Sequence, residues 1–448
     1  MLRFGCQLDS DRSLDRRNAV LAFAVRVASA GILFVSQVAL ARWMGAAEYG
    51  VYVYAWTVLL LLGGVATVGL NIGAIRIVSE LRETGATESD ATEAGAFDAL
   101  RGFLRGGRLL VMATSIAMVC LAGALVWSLS ARFPTGPWGV VAVVLLAVPA
   151  YALTDLQDGI CRGCARMVSA LLAPYILRPI LILAGIGLVH LIGLPLDATV
   201  AAIAAVGATW IAWGIQTLMV SRDLRSIVPV GRRVYKVRAW AATSAPLLLM
   251  GVFDLAMQNI DIIVISNLLS ATDAGIYFAA SKTMALILFV HYAVGSAMAN
   301  RFAAISTRGD ADAMRAAVRD GVRWTFWPSL AMTAIMLAAG KPLLSLFGPQ
   351  FVEGYPVMCV LAVAILARAA IGPADALLTM SGAQADCARS LMIAAGANLA
   401  LNVVLVPKFG IIGAAIAVAL SMILGAVLNW RTANRRLGLD VGIWAVDR

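Results

Sequence analysis

Residues 43–73 read WMGAAEYGVYVYAWTVLLLLGGVATVGLNIG. After Glu48 no charged residue occurs until Arg76, which leaves a run of 27 uncharged residues. A helix needs about 20 predominantly apolar residues to cross the hydrocarbon core of a bilayer. This stretch therefore predicts a transmembrane helix that is entered through a short motif containing Glu48, Gly50 and Tyr52.

The composition extends this prediction to the whole chain. Of 448 residues, 61% are hydrophobic and 13% are charged, against roughly 45–50% and about 25% in soluble globular proteins. About twelve spans would use roughly 240 residues, so only short loops remain and a sizeable soluble domain is excluded. Basic cytoplasmic loops explain the net charge of +10, and we do not expect nucleic acid as a partner.

Long apolar runs alternate with charged or turn-forming clusters along the chain. This pattern predicts an all-α polytopic membrane protein with about twelve transmembrane helices. The predicted helices are 19–41, 50–73, 108–130, 138–160, 168–190, 196–220, 243–267, 275–299, 323–340, 355–378, 388–407 and 410–430.

The distribution of Lys and Arg predicts that both termini are cytoplasmic. In that orientation, 27 of the 35 basic residues lie on inner segments and 4 on outer loops. Basic residues collect on the cytoplasmic side of membrane proteins. Omitting one helix would reverse every later loop and destroy the bias, which therefore supports an even number of spans.

The two halves of the sequence contain related segments. Residues 43–52 (WMGAAEYGVY) align with 268–277 (LLSATDAGIY), each with an acidic residue two before a glycine and a tyrosine two after it. The Cys-Ala-Arg segments at 164–166 and 387–389 match at nearly the same offset. Because six spans separate equivalent helices, the halves share one orientation. We therefore predict a parallel repeat, as in many transporters.

This repeat predicts two six-helix lobes related by a pseudo-two-fold axis. The N-terminal lobe is 1–225, the C-terminal lobe is 243–448, and a basic loop at 226–242 joins them. The wider segment 221–242 is basic and amphipathic, which is compatible with a helix on the anionic inner leaflet. A solvated linker explains the same pattern, and the sequence does not choose between the two.

The motif at 34–52 resembles the opening of polysaccharide-transport flippases, which include bacterial O-antigen and lipid-linked oligosaccharide flippases. The segments at 69–76 (GLNIGAIR) and 274–282 (AGIYFAASK) resemble the same family. These flippases belong to the multidrug/oligosaccharidyl-lipid/polysaccharide exporter superfamily. The related flippase of the peptidoglycan precursor usually has two further helices, so the sequence favours that identity less.

The resemblance implies a V-shaped pair of lobes and a non-enzymatic transporter without a cofactor. It implies alternating access that moves a polyprenyl-diphosphate-linked oligosaccharide across the bacterial inner membrane, for O-antigen, capsule or exopolysaccharide synthesis. Membrane lipids, the polysaccharide polymerase and the chain-length machinery are the partners that it implies.

Basic residues inside predicted spans are candidates for binding the diphosphate. Arg26 lies about 10 Å from the inner edge of the first helix, and Gln37 lies on broadly the same face. An arginine can bind a desolvated diphosphate through two parallel hydrogen bonds. Snorkelling to the inner surface, or a neighbouring carboxylate, would account for Arg26 as well.

Arg178, Lys282 and Arg368 complete the predicted substrate-binding set. Each lies within a predicted span, where an ionisable group usually faces a cavity or a partner. Arg178 precedes Pro179, so it could instead mark a break in its helix.

Polar residues in the seventh and eleventh helices are candidates for cation coupling. Asp254, Gln258 and Asp261 lie at positions i, i+4 and i+7, on one helical face. Asn398 and Asn402 could add oxygen ligands for Na⁺, and a carboxylate could carry H⁺ instead. Internal ion pairs with Lys282 or Arg368 would explain the same carboxylates.

Three other functions fit the sequence less well than a flippase does. A drug or small-cation exporter of the same superfamily should have a cavity dominated by carboxylates, whereas Arg and Lys also occur in these spans. A membrane-embedded glycan polymerase or ligase should carry a long outer loop, which this sequence lacks. A non-transporting scaffold would not explain the charges within the spans.

Overall fold

A computed structural model describes most of the chain. The backbone is described for 2–87, 90–134, 136–225, 228–308 and 310–445, and side chains for 28–84, 95–134, 136–225, 228–308 and 310–445. The described part is almost entirely helical and contains no strand. This confirms the predicted all-α class.

Sixteen α-helices occur in the described residues. The first eight are α1 (Leu2–Ala66), α2 (Leu70–Thr87), α3 (Asp90–Arg132), α4 (Trp138–Leu145), α5 (Val148–Gly163), α6 (Met167–Leu172), α7 (Arg178–Leu191) and α8 (Ala198–Arg225). The others are α9 (Val237–Leu268), α10 (Ala271–Ala285), α11 (Leu288–Arg308), α12 (Ala311–Ala338), α13 (Gly340–Phe347), α14 (Tyr355–Ala369), α15 (Ala374–Met380) and α16 (Gln384–Leu437).

The spans agree with the predicted number. Among the described residues, eight helices are long and apolar enough to cross a membrane, or ten when each of two bent pairs counts as one span. Two of these ten are each two helices joined at a kink, at Gly45 (φ 79°) in α1 and Gly410 (φ 60°) in α16. Glycine adopts positive φ without the steric cost that a Cβ imposes. Dividing both at their glycines gives twelve helices.

Some boundaries differ from those predicted. The charged segment 74–108 was expected to be an inner loop, but α2 continues to Thr87 and α3 begins at Asp90. Its many Ala, Glu and Arg residues are good helix formers, and a helix can continue beyond the hydrocarbon. The predicted helix 168–190 contains a π-helical turn at Ala173–Leu177, but it continues past Arg178 as one span, Met167–Leu191, so it is not broken there.

The basic segment 221–242 does not form a surface helix in its described residues. Residues 221–225 end α8, residues 237–242 begin α9, and 228–236 are not helical. The backbone N–H of Val234 donates to the carbonyl of Asp98 on α3 (2.9 Å). The expectation of a helix lying on the inner leaflet is therefore wrong for 228–236, because this segment is bound to α3 instead.

The chain forms two compact units. Unit 1 comprises Met1–Leu40 and Val58–Val252, and unit 2 comprises Ala41–Thr57 and Phe253–Arg448. Helices α1 and α9 thus each contribute to both units. The predicted lobe boundaries stay a prediction.

In unit 2 the two copies of the repeated motif pack against each other. A Cβ on Gly50 would lie 1.7 Å from the carbonyl oxygen of Ala271, and one on Gly275 would lie 2.6 Å from that of Ala46. Such a close approach of two backbones is possible only without side chains. The glycines shared by the two motifs are therefore the contact between them.

Aromatic side chains surround this glycine contact. Tyr49 is fully buried, and its ring packs edge-on against Phe278 and Phe351, with centroids 6.2 and 5.8 Å apart. Edge-to-face pairs of this kind stabilise a core beyond their buried area. The motif at 43–52 is thus part of the core of unit 2.

Candidate functional site

Unit 1 contains a polar cluster between α2 and α5. The side-chain amide of Asn71, in the first turn of α2, donates to the Asp155 carboxylate on α5 (3.0 Å), and Thr67 donates to the Asn71 oxygen (3.2 Å). The neighbouring carboxylate Asp158 lies one turn further along α5. Asp158 pairs with Arg162 (2.8 Å), whereas the hydrogen bond described for Asp155 is to Asn71.

Arg178 joins the same cluster from the start of α7. Its guanidinium lies over the Tyr151 ring, 5.2 Å from the centroid, and interacts electrostatically with Asp155. The π-helical turn before Arg178 adds one residue to the helix, and such turns often occur at functional sites. We name Asn71, Tyr151, Asp155 and Arg178 the N-terminal polar cluster.

Unit 2 contains a second cluster around Arg368, in the last turn of α14. Arg368 Nη2 lies 3.4 Å from Asp375 Oδ2 on α15, and His291 Nε2 on α11 lies 3.4 Å from Asp375 Oδ1. The Arg368 side chain is 39% exposed, so part of the guanidinium remains accessible. Asp375 and His291 are not among the residues predicted from the sequence. In the sequence, each of them is an isolated titratable residue within an apolar segment, which by itself does not indicate a site.

Two of the predicted coupling residues belong to this cluster. Gln258 Nε2 donates to Asp254 Oδ2 (2.8 Å), both side chains are exposed, and Asp254 interacts electrostatically with Arg368. We name Asp254, Gln258, His291, Arg368 and Asp375 the C-terminal polar cluster. Its arginine thus lies close to two carboxylates.

The third residue of the predicted stripe, the carboxylate Asp261, is in a different environment. Asp261 is only 5% exposed and interacts with the Lys282 ammonium and the Tyr277 hydroxyl. Lys282 Nζ also lies 5.1 Å from the centroid of the Phe278 ring. Asp261 and Lys282 thus interact electrostatically. The stripe divides into an exposed pair, Asp254 and Gln258, and the buried Asp261.

Asn398 and Asn402 lie on α16 and are fully buried. Asn402 Nδ2 donates to the side-chain oxygen of Asn398 (2.8 Å) and to its carbonyl (2.9 Å). No hydrogen bond described for the chain joins either asparagine to Asp254 or Asp261. In the described structure the two asparagines hydrogen-bond to each other. Their role as additional oxygen ligands in a cation site stays a prediction.

The first helix provides the remaining two candidates. Gln37 is half-buried on α1. The Arg26 side chain lies outside the described residues, so its role stays a prediction.

Comparisons with known proteins agree with this architecture. A family model described as polysaccharide biosynthesis protein matches residues 16–303. The probable low-salt glycan biosynthesis flippase Agl15 of Haloferax volcanii is 23% identical over 422 residues, covering 92% of this chain and 82% of that protein.

Two solved structures are similar throughout. One is a multidrug resistance MATE family transporter of the MOP superfamily in an inward-facing conformation, with a TM-score of 0.72, 15% identity and coverage of 95% of this chain and 99% of that chain. The other is the lipid II flippase MurJ in an inward closed conformation, with a TM-score of 0.71, 13% identity and coverage of 93% and 87%. The chain therefore has the fold of these transporters.

Proposed function

The chain belongs to the polysaccharide biosynthesis protein family, and we propose that it is a flippase for a polyprenyl-diphosphate-linked oligosaccharide. The family match over 16–303 is the observation that carries this proposal, and the similarity to an archaeal glycan biosynthesis flippase supports it. We propose that it works by alternating access in a bacterial inner membrane, with both termini in the cytoplasm. A surface polysaccharide polymerase and chain-length machinery would use the translocated glycan.

The arginines of the two polar clusters support an anionic headgroup as substrate. Each cluster holds one arginine inside a span, Arg178 in unit 1 and Arg368 in unit 2. A guanidinium offers five donors in a planar arrangement that matches phosphate oxygens. Arg368 directs Nη2 to Asp375 at 3.4 Å, and its partial exposure leaves other donors accessible to a diphosphate.

Transport should therefore depend on these arginines. In liposomes containing a labelled polyprenyl-diphosphate oligosaccharide, a membrane-impermeant glycan-modifying reagent reports the label that reaches the opposite leaflet. We expect Arg368→Ala and Arg178→Ala each to slow protein-dependent movement by about tenfold or more, because a hydrogen bond to a charged group contributes roughly 1.5–3 kcal/mol. Arg26→Ala tests, in the same assay, the third arginine that is predicted to contact the substrate.

The matched control is Arg315→Ala. This side chain is 61% exposed and pairs only with Asp312 among the described residues, so its loss should leave the rate unchanged. Equal rates in all these variants would remove the arginines from the proposal. Failure of the wild-type protein to move any glycan lipid, together with export of cationic dyes, would favour the drug-exporter alternative.

We also propose that Asp254 couples transport to Na⁺ or H⁺. Its carboxylate is exposed, is bound by Gln258, and interacts with Arg368. A diphosphate that binds Arg368 would weaken the interaction of that arginine with Asp254. The carboxylate would then be better able to hold a cation, which links substrate binding to cation binding through one side chain.

Asp254→Asn separates coupling from substrate movement. We expect this variant to lose acceleration by an imposed Na⁺ or H⁺ gradient, because a neutral amide holds neither cation as a carboxylate does, while movement without a gradient continues. Rates are measured in liposomes with each gradient in turn. Asp312→Asn, at a side chain that is 92% exposed, is the control. An unchanged gradient response in Asp254→Asn would contradict the proposal.

A further inference from the structure

A strongly basic pocket lies in unit 1, and none of its lining residues belongs to the N-terminal polar cluster. It has a volume of about 470 Å³ and lies between residues 101–109 of α3 and residues 228–233. Arg101, Arg105 and Arg108 lie at positions i, i+4 and i+7, which is one face of a helix, and Arg233 lines the pocket from the other side. All its lining residues are described and none is acidic. The pocket therefore holds four positive charges without a lining carboxylate.

One of these arginines has a structural role. Arg101 donates to the carbonyl oxygens of Pro229 and Arg232 and to the Asp98 carboxylate. Together with the Val234–Asp98 backbone hydrogen bond, these contacts hold the segment against α3. The pocket is thus formed by defined contacts, with Arg101 already satisfied.

The other three arginines lack such partners. Among the described residues, no carboxylate lies within ion-pairing distance of Arg105, Arg108 or Arg233. Arg108 Nε and Nη2 are buried and have no hydrogen-bond partner in the described structure. Buried donors are normally paired, and an unpaired one costs roughly 1–3 kcal/mol. Arg105 and Arg233 are exposed beside Arg108, so the three arginines line one pocket without a carboxylate partner among the described residues.

The pocket also has an apolar rim. Leu109 and Val230 both line it, and both are exposed. The positive-inside distribution predicts that this end of α3 faces the cytoplasm, where basic pockets between helices bind anionic lipid headgroups. Apolar residues beside the charges would contact an acyl chain.

From this geometry we propose that the pocket binds a phosphate group, through Arg105, Arg108 and Arg233. An anionic phospholipid headgroup and free phosphate share this chemistry, and the rim is the feature suited to the lipid. The bound anion would bridge α3 and the segment that leads from α8 to α9. It would therefore reinforce the attachment that Arg101 makes without taking part in substrate movement.

The test uses the full-length protein and a charge-matched pair of variants. Arg105→Gln/Arg233→Gln removes two exposed pocket arginines, and Arg232→Gln/Arg238→Gln removes two exposed arginines that do not line the pocket. Both variants change the net charge equally. Native mass spectrometry measures phosphatidylglycerol adducts, with phosphatidylcholine as the comparison lipid. Equilibrium dialysis measures the binding of labelled inorganic phosphate to the protein in detergent.

We expect the pocket variant to lose phosphatidylglycerol adducts by about tenfold or more, since each arginine near an anionic headgroup contributes appreciably, while the control variant keeps them. Selective loss of adducts identifies a lipid headgroup as the ligand. Selective loss of phosphate binding, without lipid adducts in the wild-type protein, identifies a soluble phosphate. Binding of neither probe, or equal loss in both variants, would overturn the proposal.

Discussion

Replacing Asp261 with leucine is expected to lower the free energy of unfolding by about 3 kcal/mol or more. Asp261 is buried and interacts electrostatically with the partly buried Lys282. Removing one of two opposite charges that compensate each other in a buried environment costs roughly 3–5 kcal/mol. Denaturant unfolding of the purified protein in detergent micelles measures the change.

The double variant Asp261→Leu/Lys282→Met is expected to recover most of that stability. Replacing both members of a buried pair by apolar residues is often neutral or stabilising. Asp254→Leu is the matched control, two turns earlier on α9, and should have a small effect because its side chain is exposed. Additive losses in the double variant would show that the two charges do not stabilise each other.

The transport rate of this double variant separates two roles for the pair. The sequence placed Asp261 among the coupling residues and Lys282 among the substrate contacts. A stable double variant that still responds to an ion gradient and moves the glycan lipid would assign the pair to the packing of unit 2. A stable variant without transport would keep both residues in the transport mechanism.

Gly50→Ala is the second substitution with a large expected effect. The new methyl group would lie 1.7 Å from the Ala271 carbonyl oxygen, and a backbone atom cannot rotate away as a side chain can. Overpacking of this kind costs about 1–3 kcal/mol and occasionally more. We expect a lower melting temperature in detergent and weaker packing of Tyr49 against Phe278.

Gly31→Ala is its control, in the part of α1 before the kink at Gly45. A Cβ at Gly31 meets nothing within 4 Å, so this substitution tests helix propensity alone, which favours alanine over glycine by about 1 kcal/mol. We therefore expect Gly31→Ala to be neutral or stabilising. Equal behaviour of the two variants would mean that the motifs are not held together by the close approach at Gly50.

The family assignment had a clear basis in the sequence. The repeated glycine and tyrosine of the two motifs, 225 residues apart, predicted a duplicated transporter, and the structure adds that Gly50 and Gly275 lie at one contact. The repeat could be found because it is visible in the amino-acid sequence. The contact between its two copies could not be predicted, because a sequence alignment contains no distances.

The candidate site was only partly accessible to the same reasoning. Charges inside apolar runs are conspicuous, so Arg178, Arg368 and Asp254 could be selected from the sequence. Their partners could not. Asp375 lies on a separate short helix, and Asn71 meets Asp155 across 84 positions of sequence. A helical face fixes only neighbours three or four residues away, and the exposed and buried ends of the stripe from Asp254 to Asp261 look alike in sequence.

The sequence by itself determined the all-α membrane class and the number of spans, because the length of an apolar run is a local quantity that the bilayer thickness sets. It also determined the repeat and the family resemblance. Only the tertiary structure decided which charges are paired, where a π-helical turn precedes α7, and that residues 228–236 bind α3 and help to form a basic pocket. These outcomes depend on which helices pack together, since the cost of a charge in a membrane is set by its neighbours in space.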